Sequence, residues 1–322
     1  MLIVGETSHI KSIIDIFNDS DPNYKIVGFI NCEVNKQDKV KLKGIVEYSP
    51  KQIYQIIKDE NITEIVIATY NSENITPEIY GDLITLLEGG FPIKEYTQVY
   101  EELTQRVPVQ FVGKDFYKYF PFSRSNQNKM YLFFNHFIDL LISILGILTG
   151  CLLLPFIVLG NLIANRGPLF YIQERIGSNG TLFKIIKFRT MVKNAEKNGE
   201  VWAKKGDARI TPFGKFLRNS RLDEMPQFVN ILKGEMSLIG PRPERPHFVR
   251  ELSQSLPFYE TRHIIKPGLT GWAQVNTRYG SSVDDSLLKL QYDLYYIKHR
   301  SFFLDANILI KTLSTIIFFR GQ

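Results

Sequence analysis

The chain has 322 residues, 44% hydrophobic and 22% charged, a globular composition long enough for two domains. Its net charge of +6 hides a split: residues 1–115 carry 11 Lys/Arg against 18 Asp/Glu, and residues 116–322 carry 28 against 15. The C-terminal part is therefore the candidate for an anionic partner, whether phosphate, acidic lipid or nucleic acid. The two cysteines, Cys32 and Cys151, lie too far apart for metal-ligand spacing and suit a reduced compartment. The opening MLIVGE has no basic segment before its apolar run, so no signal peptide is expected.

Residues 1–115 alternate strand and helix patterns. MLIVG reads as a strand, HIKSIIDIFN as a helix and YKIVGFIN as a second strand. SPKQIYQIIKDEN reads as a helix with Ser49 as N-cap and Pro50 at its first position. EIVIATY follows as a buried strand, then PEIYGDLITLLEGG as a helix closed by glycines. This rhythm predicts an α/β fold with a parallel sheet and covering helices. A dinucleotide site would need Gly-x-Gly-x-x-Gly after the first strand, and only Gly5 is present. The expected reading is a structural or regulatory domain without dinucleotide.

Residues 116–130, FYKYFPFSRSNQNKM, are aromatic and basic and read as a linker towards a membrane surface. Residues 140–164 then run without a charged side chain. About 20 apolar residues cross a bilayer core, so this length points to the membrane rather than to a buried soluble helix. Pro155 interrupts the segment and predicts a kink or break there. Both flanks are basic, with Lys118, Arg124 and Lys129 before and Arg166, Arg175 and Lys184 after. A re-entrant helix over residues 131–165, broken near Pro155, keeps both flanks on the cytoplasmic side. The closing stretch from Ser301 is Phe/Leu/Ile-rich but broken by Asp305, Lys311 and Arg320. It suits an amphipathic helix in the membrane interface, or equally one packed on the protein core.

The chemistry-bearing residues cluster after Tyr171. In SRLDEMPQFVNILKG, Leu222, Met225, Phe228, Val229 and Leu232 recur at helical spacing. Pro226 fits only a first turn, so the helix is expected to start near Asp223 and to close at Lys233 and Gly234. Asp223 and Glu224 would lie at its N-terminus, which favours carboxylates and incoming phosphate alike. Adjacent helical residues point about 100° apart, so one carboxylate can attack phosphorus while the other holds Mg²⁺. The plain alternative is an Asp N-cap followed by a first-turn Glu. Arg218 precedes the pair, Arg242 is held between Pro241 and Pro243, and Arg175, Lys187 and Arg189 come from a separate segment. Several fixed cations beside two carboxylates fit a pyrophosphate site.

KFRTM, LDEMPQFVNILKGEMSLIGPRPE and KPGLTGWAQVN, in this order after a broken hydrophobic helix, closely resemble the bacterial sugar transferase family. These are the monotopic polyprenyl-phosphate phosphoglycosyltransferases, and the resemblance covers about residues 127–322. Residues 1–115 look like the degenerate Rossmann-like domain of larger members. Those members usually begin with several membrane helices, so the chain is expected to be a short natural form or a fragment. The resemblance implies transfer of a sugar-1-phosphate from a UDP-sugar to undecaprenyl phosphate, releasing UMP. It would occur at the cytoplasmic face of the bacterial inner membrane, as the first membrane step of exopolysaccharide, O-antigen, capsule or glycoprotein glycan synthesis.

By motif, the resemblance makes Asp223 the nucleophile of a covalent phosphosugar intermediate and Glu224 the Mg²⁺ ligand. Arg218 and Arg242 would bind phosphate or nucleotide, Lys187 and Arg189 match the family's basic motif, and Leu154-Pro155 marks the membrane break. Two departures stand out: Asn135 and His136 occupy positions often held by a basic pair, and the break often reads Ser-Pro. The fold implied is an α/β Rossmann-like domain (1–115), the linker, the re-entrant helix, and a mostly α catalytic domain (166–322) with interfacial amphipathic helices. Other readings are a nucleotide-sugar dehydratase or epimerase and a non-catalytic membrane scaffold; nucleic acid is not an expected partner. Residues 1–115 could serve folding, a homodimer contact or nucleotide-sugar sensing. Donor choice would lie in residues 193–206 and 244–282.

Overall fold

A computed structural model describes residues 1–6, 10, 13–14, 25–32, 45–69, 75–109, 128–196, 206–277, 280 and 282–318. It divides into two compact units, residues 1–119 and 120–322. Most of the expected helix at 9–18, most of the linker at 116–130 and the loop stretch 197–205 lie outside the described residues.

In the first unit β1 (Leu2–Gly5), β2 (Gly28–Asn31), β3 (Val46–Tyr48), β4 (Ile65–Ala68) and β5 (Ile93–Glu95) form one sheet in the order β3-β2-β1-β4-β5. Every pairing is parallel, with Leu2 opposite both Gly28 and Ile65. Side chains alternate across a strand, so a strand buried on both faces must be apolar throughout. Leu2, Val4 and Ile30 pack with Ile53 and Ile56 of α1 (Ile53–Asp59) and Ile79 and Leu83 of α2 (Pro77–Glu88). Ile3, Phe29 and Val66 pack on the other side, with Ile10, Ile13 and with Val99 and Tyr100 of α3 (Tyr96–Thr104). Strands β3 and β5 and helix α3 are too short or too polar to show as periodic runs in the sequence. Ser49 precedes a short 3-10 turn, Pro50–Gln52, rather than capping α1 directly, and its side chain makes no capping hydrogen bond. Gly5 has its own structural reason: a Cβ there would lie 2.3 Å from the Ala68 carbonyl oxygen, so the β1–β4 approach demands glycine.

The second unit is built on α4 (Lys129–Gly160), 32 residues and about 48 Å long. It runs unbroken through Pro155, where a break was expected. The missing hydrogen bond falls on an exposed side of the helix, while Leu153, Leu154 and Ile157 pack with Phe188 and Leu217 on either side of it. Apolar packing before and after the proline offsets a local cost of about 3 kcal/mol and the helical pattern continues. The α-helical pattern ends at Gly160 instead, passing into a π turn over Asn161–Asn165. The window of highest hydropathy is only 11% buried, so α4 is not the central helix of a soluble core.

An antiparallel hairpin follows, β6 (Phe170–Ile176) with β7 (Leu182–Phe188), then α5 (Pro212–Asn219) and α6 (Gln227–Leu232). Strands β8 (Ser237–Ile239) and β9 (Gly268–Thr270) pair in parallel, with α7 (Pro246–Ser255) between them. Helices α8 (Trp272–Asn276), α9 (Val283–His299) and α10 (Phe302–Ile317) complete the unit. Asn230 of α6 is fully buried and staples this layer together. Its carboxamide oxygen accepts from the Ile186 N–H (3.2 Å), and its nitrogen donates to the Lys184 carbonyl (2.8 Å) and Glu235 Oε2 (2.7 Å). Asn230→Leu would strand those buried groups, and a loss of roughly 2–4 kcal/mol is expected as a lower Tm in detergent.

Helix α10 packs on the rest of the unit along one side, as one of the two expectations had it, and exposes apolar side chains along the other. Asp305 and Ile308 are buried, while Phe303 is 91% exposed beside exposed Ile310, Leu313 and Ile317. Asp305 accepts from Tyr131 Oη (2.6 Å) and Tyr296 Oη (2.8 Å), and Asn135 Nδ2 approaches it at 3.5 Å. Those bonds tie α10 to the start of α4.

Candidate active site

Asp223 and Glu224 do not open an α-helix. They sit in a single 3-10 turn, Leu222–Glu224, and the α-helical pattern begins only at Gln227, with Pro226 as its cap. Pro226 has no N–H to give to an earlier carbonyl, so the i→i−4 ladder cannot start before it. Arg221 adopts a left-handed φ of 59°, and Glu224 N bonds back to its carbonyl at 3.2 Å. A six-residue α6 supplies little dipole, so side-chain cations carry the electrostatics here.

Those cations converge on Glu224. Its Oε1 receives Lys187 Nζ at 2.7 Å and Arg242 Nη2 at 2.8 Å, and Arg221 lies 3.6 Å from Oε2. Both carboxylates are buried, at 8% exposure for Asp223 and 7% for Glu224. Burial pushes Glu224 upward, but Arg242, Lys187 and Arg221 outweigh it and hold the group well below the usual carboxylate range. Asp223 goes the other way. Burial, then the Glu224 charge, push it up to about 6 against the pull of Lys187, Arg218 and Arg221. Burial lowers the Lys187 ammonium, with Glu224 opposing that shift. Among the described residues nothing donates a hydrogen bond to Asp223, which lines the cavity. One carboxylate is thus neutralised by fixed cations, and its neighbour is an open acceptor.

Arg242 is fixed through its own loop. The Pro241 carbonyl accepts from Gly268 N (2.9 Å), that of Arg242 from Arg262 Nη2 (3.1 Å) and that of Pro243 from Arg175 Nη1 (3.0 Å). The Pro-Arg-Pro stretch is therefore anchored at three consecutive carbonyls. Arg218 Nε donates to Thr190 Oγ1 (2.9 Å) and lies close enough to Asp223 to pull its proton affinity down. Arg189 is used differently: its guanidinium donates to the carbonyls of Asn165 (3.0 Å), Pro168 (2.8 Å) and Met191 (3.3 Å). It closes the loop between α4 and β6. Arg175, Lys187, Arg189, Arg218 and Arg242 all border one cavity of about 990 Å³ with the carboxylate pair. Pro155 lies on α4 and borders no part of it.

Sequence reasoning missed two groups. Arg262 donates to Asp293 (2.7 Å) and Tyr259 Oη (2.7 Å) behind the Arg242 loop. Asp293 lies in the stripe Leu290-Asp293-Leu294-Ile297, and a charge at a core position was the available signal. Tyr171, Glu196 and Arg245 form the second group: Tyr171 Oη donates to Glu196 Oε2 at 3.0 Å and Arg245 pairs with the same carboxylate. No spacing in the sequence marks that cluster.

A family model described as bacterial sugar transferase matches residues 130–319. UDP-N-acetylgalactosamine-undecaprenyl-phosphate N-acetylgalactosaminephosphotransferase of Aeromonas hydrophila is 37% identical over 79% of this chain and 59% of its own length. UDP-glucose:undecaprenyl-phosphate glucose-1-phosphate transferase of Xanthomonas campestris pv. campestris is 37% identical over 56% of this chain and 38% of its own length. A putative undecaprenyl-phosphate N-acetylgalactosaminyl 1-phosphate transferase of Bacillus subtilis is 40% identical over 44% of this chain and 79% of its own length. The chain thus spans less than two thirds of the length of the first two relatives. With the family model matching more than half of its residues, the chain belongs to the bacterial sugar transferase family.

Proposed function

We propose that the protein transfers a sugar-1-phosphate from a UDP-sugar to undecaprenyl phosphate, releasing UMP. The observation that carries this is the division of labour between Asp223 and Glu224 inside a cation-lined cavity. Asp223 Oδ attacks the sugar-bearing phosphorus, and the bond to UMP breaks with its electron pair. A lipid phosphate oxygen then attacks the aspartyl phosphosugar and restores the carboxylate. Arg242, Lys187 and Arg218 bind phosphate oxygens, and their charge stabilises what develops on the transferred group.

The donor set fits a Mg²⁺ ion: two adjacent carboxylate groups, one of them ionised and engaged on Oε2 only at 3.6 Å. A hard cation of this kind typically takes one or two carboxylates and completes its shell with water and phosphate. Bound there by Glu224, it would neutralise the diphosphate and help the leaving group. Glu224→Gln is expected to cut UMP release at least tenfold and weaken its Mg²⁺ dependence, read as activity against metal concentration after chelation.

We place the protein on the cytoplasmic face of the cell membrane without a full crossing. Polar contacts tie α4 to the catalytic unit at Tyr131 and Asp139, and apolar packing ties it again at Ile157. A helix flanked by its own soluble unit from end to end leaves no free half to emerge on the far side. In a background without Cys32 and Cys151, Asn128→Cys and Phe170→Cys should both react with a membrane-impermeant thiol reagent only from the cytoplasmic side. Labelling from opposite sides would make α4 a span. The dehydratase reading rests on the N-terminal domain, where Gly5 after β1 is not followed by the further glycines of a dinucleotide loop.

The decisive assay is UMP release by the purified protein with Mg²⁺, undecaprenyl phosphate and a panel of UDP-sugars. Release from one donor, lost in Asp223→Asn, supports the proposal; equal release from the variant removes the proposed nucleophile.

A further inference from the structure

Helix α4 carries a buried carboxylate for which the reaction has no use. Asp139 is the last charge before the uncharged run of residues 140–164. A carboxylate is costly beside an apolar bilayer and persists there only with polar partners. Its partners are on β8: Oδ2 accepts from Ser237 Oγ and Oδ1 from the Leu238 N–H, both at 2.8 Å. Lys266 lies close enough to offset its charge. Resting on the transfer reaction above, we propose that Asp139 is a positioning residue: it fixes β8 on α4 and thereby holds the Arg242 guanidinium against Glu224.

Strand β8 is three residues long and pairs in a two-stranded sheet with the equally short β9. Two strands alone make a marginal sheet in water. Ser237 N donates to the Pro267 carbonyl beside β9 (2.9 Å), so the next N–H, that of Leu238, faces the other way. Asp139 takes that second edge. Leu238 stands four positions before Arg242, and between them Gly240 N donates to the Thr270 carbonyl (2.9 Å) and Pro241 has a fixed φ. Such a short, stiff connection passes a shift of β8 on to Arg242. The same face of α4 holds the other partner of the pair. Gly146 follows Asp139 by two turns, about 10 Å, and a Cβ there would come within 2.4 Å of the Phe228 ring. Met225, the residue after Glu224, packs with Leu153, Leu154 and Ile157. Helix α4 therefore grips both sides of the 2.8 Å contact between Arg242 and Glu224. Apolar packing on the Glu224 side is non-directional, whereas two hydrogen bonds to a carboxylate set the register of β8.

The test is a double-mutant cycle on UDP binding by the full chain in detergent, read by calorimetry, with UMP release measured beside it. Asp139→Ala should weaken UDP about tenfold in otherwise wild-type protein. In Arg242→Ala protein the same change should cost about twofold or less, because no guanidinium is left to place. Asp139→Asn should stay within about threefold of wild type, its carboxamide oxygen accepting from Leu238 and its nitrogen donating to Ser237 Oγ. Should Asp139→Ala fail to fold, Ser237→Ala removes one of the two bonds and should show a smaller loss, about threefold, again absent without Arg242. Equal losses with and without Arg242 would make Asp139 a general structural support and overturn the proposal. Full affinity in both Asp139→Ala and Ser237→Ala would overturn it too, as would a loss in Asp139→Asn as large as in Asp139→Ala. Wild-type protein that binds UDP in the expected pattern yet releases no UMP from any UDP-sugar would sink the transferase reading and leave the positioning role standing. Wild-type protein that binds no UDP would overturn both.

Discussion

Asp223→Asn should abolish UMP release and at the same time stabilise the protein above about pH 6. Loss of the attacking carboxylate is expected to lower turnover by about a thousandfold or more, since the adjacent Glu224 is engaged by Lys187 and Arg242. The stability effect follows from linkage. Folding raises Asp223 from its ordinary value near 3.8 to about 6, because burial and the Glu224 charge disfavour its ionised form. A raised acid favours the folded state below the unfolded value and loses that contribution as pH climbs through the folded one. A rise of that size corresponds to roughly 2–3 kcal/mol. Asparagine does not titrate, so the variant should melt above wild type at pH 8 in the presence of a chelator, with the gain gone by about pH 4. A Tm difference independent of pH would mean that the surroundings of Asp223 do not disfavour its charge. In the wild type, UMP release should rise in step with ionisation of Asp223 as pH passes through about 6.

Asp293→Leu should cost about 3–5 kcal/mol, the usual penalty for stripping the partner from a buried charge. Arg262 is only 4% exposed and spends its guanidinium on Asp293, Tyr259 and the Arg242 carbonyl. The double variant Arg262→Met, Asp293→Leu removes both charges, and replacing a buried pair with apolar side chains is often neutral. It should therefore regain most of the lost Tm. UMP release should stay low in the double variant, because the Arg242 carbonyl has lost its donor and the loop can drift from Glu224. Full recovery of activity with stability would show that Arg262 acts only as core packing. A single variant within about 1 kcal/mol of wild type would show that the pair is not desolvated.

Much of the first unit was legible because a parallel sheet buried on both faces leaves continuous apolar runs. LIVG, GFIN and IVIA announced three of its strands. Edge strands β3 and β5 did not, since half-exposed three-residue strands carry no periodic signal. In the second unit, Asp223, Glu224, Lys187 and Arg242 stood in conspicuous motifs, and the structure gathers them around one cavity. The start of α6 was misplaced because hydrophobic spacing does not separate a 3-10 turn from a first α turn. That the helix continues through Pro155 was not legible, because a proline's effect depends on what packs before and after it.

The sequence by itself determined which side chains can do phosphate chemistry, where the long apolar helix lies and how the first unit alternates. Those are local properties: side-chain type, hydropathy and period survive in one dimension. Only the tertiary structure decided how the charges divide. Lys187 comes from a strand and Arg242 from a proline-flanked loop, and both choose Glu224 rather than Asp223. The same is true of Arg189, which borders the cavity while its guanidinium donates to three backbone carbonyls, and of Arg262, which no motif singled out. Electrostatic roles depend on distance and burial, and residues far apart in the chain acquire both only when it folds.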